Sequence, residues 1–334
     1  MPAAGLSSLP PELHHLILSQ LPPASLLAFS RTSRRNYALH LRSLTALRLG
    51  IFHSRIASLL SLLLCPPSED FCGNNSNNSN NGNVVCVFLS RAETRTRRDV
   101  LARQNTLSQA LLARYPNIQT LDLLLWDIAP KTLLSISALP SLRHLSIRLD
   151  HPHIRHPDVS RAFWEGCAPG TMWNCLSSTL GSPEDRGGRE PGRPMGGRLL
   201  TLRLERCGIT DYQLECLLKD HPLMRELRLK KCSVLTDELF EAMARSPALA
   251  TRLTLLSFTN TANEAIDARI LPYIRELKAL KTLSLDCCAH LPNELVKHFN
   301  DTEWMIPGLI LPYEEDPAAM AEVGRGIEVD DQYK

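Results

Sequence analysis

Three closely spaced histidines form the part of the sequence whose residue types could bind a metal ion. His151, His153 and His156 lie in the segment "DHPHIRHPD", residues 150–158, and imidazole nitrogens are common zinc ligands. Metal-binding histidines also need neighbouring groups that fix their second ring nitrogen, and this proline-flanked segment gives no sign of such groups. A solvated loop is therefore favoured over a metal site, and no metal or cofactor is expected.

The ten cysteines do not form a second metal-binding pattern. The sequence has no CxxC pair, and the adjacent Cys287 and Cys288 point to opposite faces of a predicted strand. Irregular spacing, together with a start that lacks a charged leader and a long apolar run, favours reduced thiols and a cytoplasmic or nuclear location. An enzyme is not expected, because GxSxG, a phosphate-binding glycine loop and HExxH are all missing.

The charge balance gives no general argument for nucleic acid or membrane as a partner. Lys and Arg number 37 against 35 Asp and Glu, a net charge of +2. The most apolar stretch, residues 56–65, is shorter than the ~20 residues of a membrane-spanning helix. The charge is uneven, however: residues 301–334 hold nine acidic and two basic residues, so they carry −7 and leave +9 for residues 1–300. We therefore expect an acidic C-terminal tail at residues 301–334.

A recurring spacing of apolar residues predicts the elements of the remaining chain. Six triplets of apolar residues share one spacing: two residues separate the first member from the second, and one residue separates the second from the third. They are Ile118, Leu121, Leu123; Leu142, Leu145, Ile147; Leu199, Leu202, Leu204; Met224, Leu227, Leu229; Leu253, Leu256, Phe258; and Leu280, Leu283, Leu285. Weaker matches are Leu44, Leu47, Leu49 and Val84, Val87, Leu89. Because side chains alternate along a strand, the last two members of each triplet share one face and predict a common core.

Helices are predicted to follow several of these strands. Thr210 or Asp211 could begin one helix, and Thr236 or Asp237 could begin another. The unit of strand, turn and helix recurs every ~20 to 29 residues, which is the period of leucine-rich repeats. Residues 68–83 and 181–197, rich in asparagine and in glycine with proline, interrupt this period and are predicted to be disordered insertions.

The segment from Leu199 to Leu249 resembles the cysteine-containing class of leucine-rich repeats. Cys207 and Cys232 each stand three positions after the last strand leucine, and Cys288 has the same offset from Leu285. In that class the cysteine packs the turn as a small apolar residue. The resemblance implies an α/β solenoid over residues 51–300, with short parallel strands inside and helices outside.

The first 50 residues carry a different pattern, "LPPELHHLILSQLPPASLLAFSRTSRR" at residues 9–35. It resembles the F-box, by which substrate receptors attach to the Skp-type adaptor of Skp-cullin-F-box (SCF) ubiquitin ligases. The resemblance implies a three-helix module at residues 6–50. The adaptor-binding residues that it implies are Leu9, Pro10, Leu13, Ile17, Leu21, Leu26 and Leu27. Thr32 stands where an apolar residue is usual and Asn36 where tryptophan is common. The helices could instead cap the end of the repeat array.

Together the two resemblances imply a fungal-type F-box protein with leucine-rich repeats, which would act as the substrate-recognition subunit of an SCF ubiquitin ligase. Its partners would be the adaptor, a cullin through that adaptor, and a target protein on the concave face, but neither nucleic acid nor membrane. The candidate target-binding residues are His144, Arg148, Arg203, Glu205, Glu226, Arg228, Lys230 and Asp286. Among them, three arginines, at 148, 203 and 228, could form a row that binds carboxylates or phosphates, although a generic solvated face is favoured. The alternative is a scaffold with a degenerate F-box that has no part in ubiquitination.

Overall fold

The fold is described from a computed structural model of the chain. The structure describes residues 13, 17–18, 25, 28–30, 32–52, 84–88, 97–125, 127–149, 171–177, 198–232, 234–259, 266–288 and 290–312. The insertions predicted at residues 68–83 and 181–197 lie outside these ranges, as do the three histidines of residues 150–158.

One parallel β-sheet runs through the described part of the chain. Its strands are β1 (Ala46–Phe52), β2 (Val84–Phe88), β3 (Thr120–Leu125), β4 (His144–Leu149), β5 (Thr201–Glu205), β6 (Glu226–Lys230), β7 (Leu255–Thr259), β8 (Thr282–Ser284) and β9 (Gly308–Ile310). The order in the sheet is β2-β1-β3-β4-β5-β6-β7-β8-β9. From β4 onward each strand lies beside the strand that precedes it in sequence, an arrangement compatible with the predicted leucine-rich-repeat solenoid.

One helix precedes β1, and the other described helices lie in connections between strands. They are α1 (Arg34–Ser43), α2 (Arg97–Arg114), α3 (Pro130–Ser137), α4 (Asp211–Asp220), α5 (Glu238–Ala244), α6 (Pro247–Arg252), α7 (Leu271–Ile274) and α8 (Asn293–Phe299). Short 3-10 turns lie at Thr171–Leu176 and Ala268–Ile270, and a π-helical turn, Asn300–Trp304, follows α8. Within the described ranges, no helix has the length and apolar character needed to cross a membrane.

The second leucine of each triplet lies in register with its equivalent on the next strand, which forms a continuous apolar ladder. The members of this ladder are Leu47, Leu121, Leu145, Leu202, Leu227, Leu256 and Leu283. None of them is more than 1% exposed. Burial of a leucine side chain contributes about 1.5–3 kcal/mol, so the repeated spacing supplies the core between sheet and helices.

A further strand, β9, follows the same spacing within the range that the sequence assigns to the acidic tail. Ile306, Leu309 and Leu311 form a triplet that begins 26 residues after Leu280. Leu309 lies opposite Leu283 and packs against the core, while Ile306 and Leu311 are 5% and 3% exposed. The solenoid-like sheet therefore continues to residue 310.

Strand β2 departs from the order of the repeats. It pairs with β1 at the edge of the sheet, and β1 in turn pairs with β3. Val87 lies opposite Ile51, whereas its place in the weak triplet predicts a position beside Leu47. Strand β2 therefore lies at the edge of the sheet on one side of β1. After α2, the chain continues into β3 on the opposite side of β1.

The three turn cysteines share one local geometry. The Sγ atoms of Cys207, Cys232 and Cys288 donate to carbonyl oxygens on preceding strands, those of Ile147 at 3.5 Å, Leu204 at 3.6 Å and Phe258 at 3.7 Å. All three cysteines are at most 2% exposed. The residue before each cysteine has a positive φ of 53–58°, which turns the chain out of the strand and points the thiol inward.

Polar groups also connect successive units at the helix starts. Thr210 begins α4 with a capping box, in which its hydroxyl accepts from the Gln213 N–H at 3.4 Å and Gln213 Oε1 accepts from the Thr210 N–H at 3.2 Å. The Asp211 carboxylate accepts from the Thr236 N–H at 2.9 Å and from its hydroxyl at 2.8 Å. Partial burial raises the pKa of Asp211, although the hydrogen bonds from Thr236 oppose that change. The predicted start of α4 at Thr210 or Asp211 is thus confirmed.

Candidate functional site

An exposed apolar pair lies on the helical segment near the start of the chain. Leu13 and Ile17 are helical, and 45% and 39% of their respective surfaces are exposed. Residues four apart lie on the same face of a helix, whereas Leu18, one position further on, is only 2% exposed. The helix therefore turns Leu18 inward and leaves Leu13 and Ile17 on a solvent-facing apolar surface.

This pair carries two of the seven predicted adaptor-binding residues. The other five, Leu9, Pro10, Leu21, Leu26 and Leu27, lie outside the described residues. Helical backbone is described at residues 13, 17–18, 25 and 28–30, followed by α1.

The two positions that depart from the F-box pattern interact with each other. The Asn36 side-chain amide donates to the Thr32 hydroxyl at 2.7 Å, and that hydroxyl donates to the Phe29 carbonyl at 2.7 Å. Tyr37, the next residue, places its ring 5.1 Å from the Arg114 guanidinium of α2, which is a cation–π geometry. Thr32 and Asn36 thus form a local polar pair, and Tyr37 connects α1 to α2.

The polar residues that alternate with the leucine ladder lie on the other face of the sheet, which we call the concave face after its place in the predicted solenoid. Seven of the eight predicted target-binding residues lie on β4, β5 and β6, namely His144, Arg148, Arg203, Glu205, Glu226, Arg228 and Lys230. Each of these side chains is partly exposed, as is Asp286, which follows β8 by two residues. The structure therefore places the predicted set on one side of the sheet, with Asp286 beside the C-terminal end of β8.

The strand register separates the three predicted arginines. Arg203 lies directly opposite Arg228, but Arg148 lies opposite Glu205, two residues further along the strand. The position opposite Arg203 on β4 is held by Ser146. The prediction of one row of three arginines is therefore wrong, because Arg148 follows the third member of its triplet, whereas the other two arginines follow the second member of theirs.

Ion pairs connect neighbouring strands across the concave face. Arg48 Nε lies 3.1 Å from the Asp122 carboxylate, Arg148 Nε lies 3.7 Å from Glu205, and an Arg203 Nη atom lies 3.9 Å from Glu226. These side chains are between 20% and 50% exposed. Solvent screening limits such pairs to about 0–1 kcal/mol each, so a ligand could displace them at little cost.

Two further basic residues, which sequence reasoning did not select, lie in the turns at the ends of these strands. Arg206 and Lys231 follow β5 and β6 directly, with φ of 55° and 53°. The Arg206 N–H donates to the Lys230 carbonyl at 2.8 Å, and the Lys231 N–H donates to the Thr259 carbonyl at 2.9 Å. Their constant place immediately before Cys207 and Cys232 is a signal that could have identified them.

Metal binding finds no support among the described side chains, where no group of three or more His, Cys, Asp or Glu residues could hold an ion. The histidines at 151, 153 and 156 lie outside these residues, so their role stays a prediction. Of the described histidines, His221 at the end of α4 is fully buried, and neither ring nitrogen has a hydrogen-bond partner. Burial lowers its pKa from 6.5 to about 4, although Asp220 opposes this shift.

These features define an α/β protein with a parallel repeat-like sheet, a charged concave face and a separate exposed apolar helix surface. Comparison with protein families matches the F-box domain to residues 6–39, which include Leu13 and Ile17. This match supports an F-box protein, and F-box domains generally bind Skp-type adaptors and serve substrate-adaptor roles. Comparison with curated proteins gives no match.

Proposed function

We propose that this chain is the substrate-recognition subunit of an SCF ubiquitin ligase. The observation that carries the proposal is the F-box match at residues 6–39, within which Leu13 and Ile17 form an exposed apolar surface. A surface of this kind fits an apolar groove on a partner, where a few central side chains contribute most of the binding free energy. The Skp-type adaptor would bind this surface, and a cullin would join the complex through the adaptor.

The proposed mechanism is positional. The adaptor and cullin would hold one end of the chain while the concave face binds a target protein. Tethering raises the effective concentration of target lysines near the ubiquitin-charged enzyme, without any new chemistry in this chain. Catalysis would belong to other subunits, and the complex would act in the cytoplasm or nucleus.

The sheet supports a leucine-rich-repeat target-binding domain of the cysteine-containing class. Its support consists of the in-register leucine ladder and the three cysteines that donate to carbonyls of preceding strands. Repeat arrays of this kind present an extended concave surface. The partly exposed charged residues of β4 to β6 suit that surface for recognition of a polar target segment.

A second candidate function is a repeat scaffold whose F-box no longer binds the adaptor. It is favoured by the polar pair of Thr32 and Asn36, whose hydrogen bonds occupy positions where the F-box pattern has apolar groups. Polar side chains lose hydration when they enter an apolar interface. Under this alternative the chain would join two proteins without ubiquitination.

The test is the affinity of the purified Skp-type adaptor for the full chain, measured by isothermal titration. The double variant Leu13→Ala/Ile17→Ala should weaken binding by at least about 10-fold, because both truncations remove apolar contact. Leu223→Ala is the matched control, since Leu223 is 38% exposed and lies between α4 and β6. It should leave the affinity unchanged.

The outcomes separate the two candidates. Binding that Leu13→Ala/Ile17→Ala leaves intact contradicts the proposed docking surface. If the folded wild-type chain does not bind, the receptor proposal is wrong. Binding that then appears in Thr32→Leu/Asn36→Trp would identify a degenerate F-box and support the scaffold.

A further inference from the structure

A cluster of basic residues lies on β5, β6 and the turns that follow them. We call this cluster the basic patch; its members are Arg203, Arg206, Arg228, Lys230 and Lys231. Arg203 and Arg228 are opposite each other in the sheet, and the Arg206 N–H donates to the Lys230 carbonyl at 2.8 Å. The patch therefore joins the concave face to the edge where the strands end.

The two strands and their turns carry a positive formal charge. Glu205 and Glu226 are the acidic residues of β5 and β6, so the five basic and two acidic groups sum to +3. Arg203 and Glu226 approach only to 3.9 Å, and both are partly exposed. The surface is thus complementary to an acidic segment whose carboxylates can form shorter, charge-assisted hydrogen bonds with arginine.

The chain itself supplies such a segment immediately beyond the described sheet. Residues 313–334 contain seven acidic and two basic residues, a net charge of −5. Three of the acidic residues, Glu314, Glu315 and Asp316, are consecutive. The preceding residue, Pro312, accepts a hydrogen bond from the Cys287 N–H at 2.6 Å. The segment therefore starts at the edge where Arg206 and Lys231 also lie, because all three positions follow the C-terminal ends of parallel strands.

The distance from this starting point to the patch is short. Strands β9 and β6 are three places apart in the sheet, or about 14 Å at the ~4.8 Å spacing of strands. An extended chain covers up to ~3.5 Å per residue, so about five residues are enough to reach β6. The remaining residues of the segment can lie along the patch.

We propose that residues 313–334 bind the basic patch of the same chain and compete with acidic segments of other proteins for it. The contact is electrostatic, so it weakens as salt concentration rises. Its regulatory consequence, restricted access to the concave face, rests on the proposed function. Binding of residues 313–334 to the basic patch does not depend on the proposed function, because the assay contains neither adaptor nor target.

The experiment measures binding of a fluorescein-labelled peptide with the sequence of residues 313–334 to full-length chains by anisotropy. In one chain the acidic segment is neutralised by Glu314→Gln, Glu315→Gln, Asp316→Asn, Glu328→Gln, Asp330→Asn and Asp331→Asn. This chain should bind the peptide at least about 10-fold more tightly than wild type, because its own segment no longer occupies the patch. Raising the salt from 50 to about 300 mM should weaken that binding several-fold.

Two variants of the neutralised chain locate the binding. Arg228→Gln/Lys230→Gln should abolish it, whereas the matched control Lys131→Gln/Lys278→Gln, at exposed positions away from the patch, should retain it. Near-ultraviolet circular dichroism verifies that each chain is folded. The proposal is overturned by equal peptide binding to wild-type and neutralised chains, by no binding to the neutralised chain, or by binding that survives the patch variant.

Discussion

His221 offers a direct test of how the repeat core responds to pH. The residue follows α4, where its N–H donates to the Leu218 carbonyl at 3.1 Å and its carbonyl accepts from the Met224 N–H at 3.0 Å. The ring is fully buried without a hydrogen-bond partner, and burial lowers its pKa from 6.5 to about 4. Protonation would place a charge in the apolar core, so the folded chain resists it.

The magnitude follows from the two pKa values. Because the folded pKa lies below the free value, the unfolded chain binds more protons between pH 4 and pH 6.5, and stability falls as the pH is lowered through this range. At pH 5 the free histidine is almost fully protonated and the buried one is almost fully neutral. The difference lowers the free energy of unfolding by about 2 kcal/mol relative to pH 7.

His221→Leu removes the titrating group while it fills a similar volume. Urea unfolding of wild type and variant at pH 7 and pH 5 gives a double difference, which cancels the titration of other groups. We expect the variant to lose about 2 kcal/mol less than wild type on acidification and to be at least as stable at pH 7, since two unpaired nitrogens are removed. Equal pH dependence in wild type and His221→Leu would refute the reasoning.

Three further predictions concern the turns and helix starts. Cys232→Ala should lower the free energy of unfolding in urea by about 1–2 kcal/mol, because it leaves a buried gap; Cys287→Ala, at an exposed thiol, should change it by less than about 0.5 kcal/mol. Asp211→Ala should lower it by about 1–3 kcal/mol, because the Thr236 N–H and hydroxyl lose their acceptor; an unchanged thermal midpoint would contradict this. Thr210→Ala should cost about 1 kcal/mol through loss of the capping box, whereas Thr210→Ser should preserve stability in the same melt.

Much of the sheet could be predicted from the spacing of leucines. Side chains alternate between the two faces of a strand, so one apolar spacing predicts both the strand and the face that is buried. Leu202 and Leu227, for example, identify a strand and its inner face. Strand β9 carries the same signal in Ile306, Leu309 and Leu311. The acidic composition of residues 301–334 concealed it, because net charge describes solvation and says little about local periodicity.

The place of β2 in the sheet could not be read from local pattern. Val84 and Val87 predict a strand, but its neighbour depends on the path of the chain between β1 and β2. The offset of Arg148, by contrast, is present in the triplets. Arg148 follows Ile147, the third member of its triplet, whereas Arg203 follows Leu202, the second member, and the register agrees with this difference.

The offset of Arg148 has a consequence for recognition. Residues of opposite charge face each other on neighbouring strands, so Arg148 lies near Glu205 and Arg203 near Glu226. These pairs neutralise charge on the concave face but add little to stability. At the strand ends Lys230 lies opposite Glu205 and is followed directly by Lys231. A ligand that lies across the middle of the strands must first separate the pairs of Arg148 with Glu205 and of Arg203 with Glu226, whereas one that contacts Lys231 leaves both pairs in place. Acidic residues in an extended peptide therefore suit this surface better than an acidic patch on a rigid globular partner.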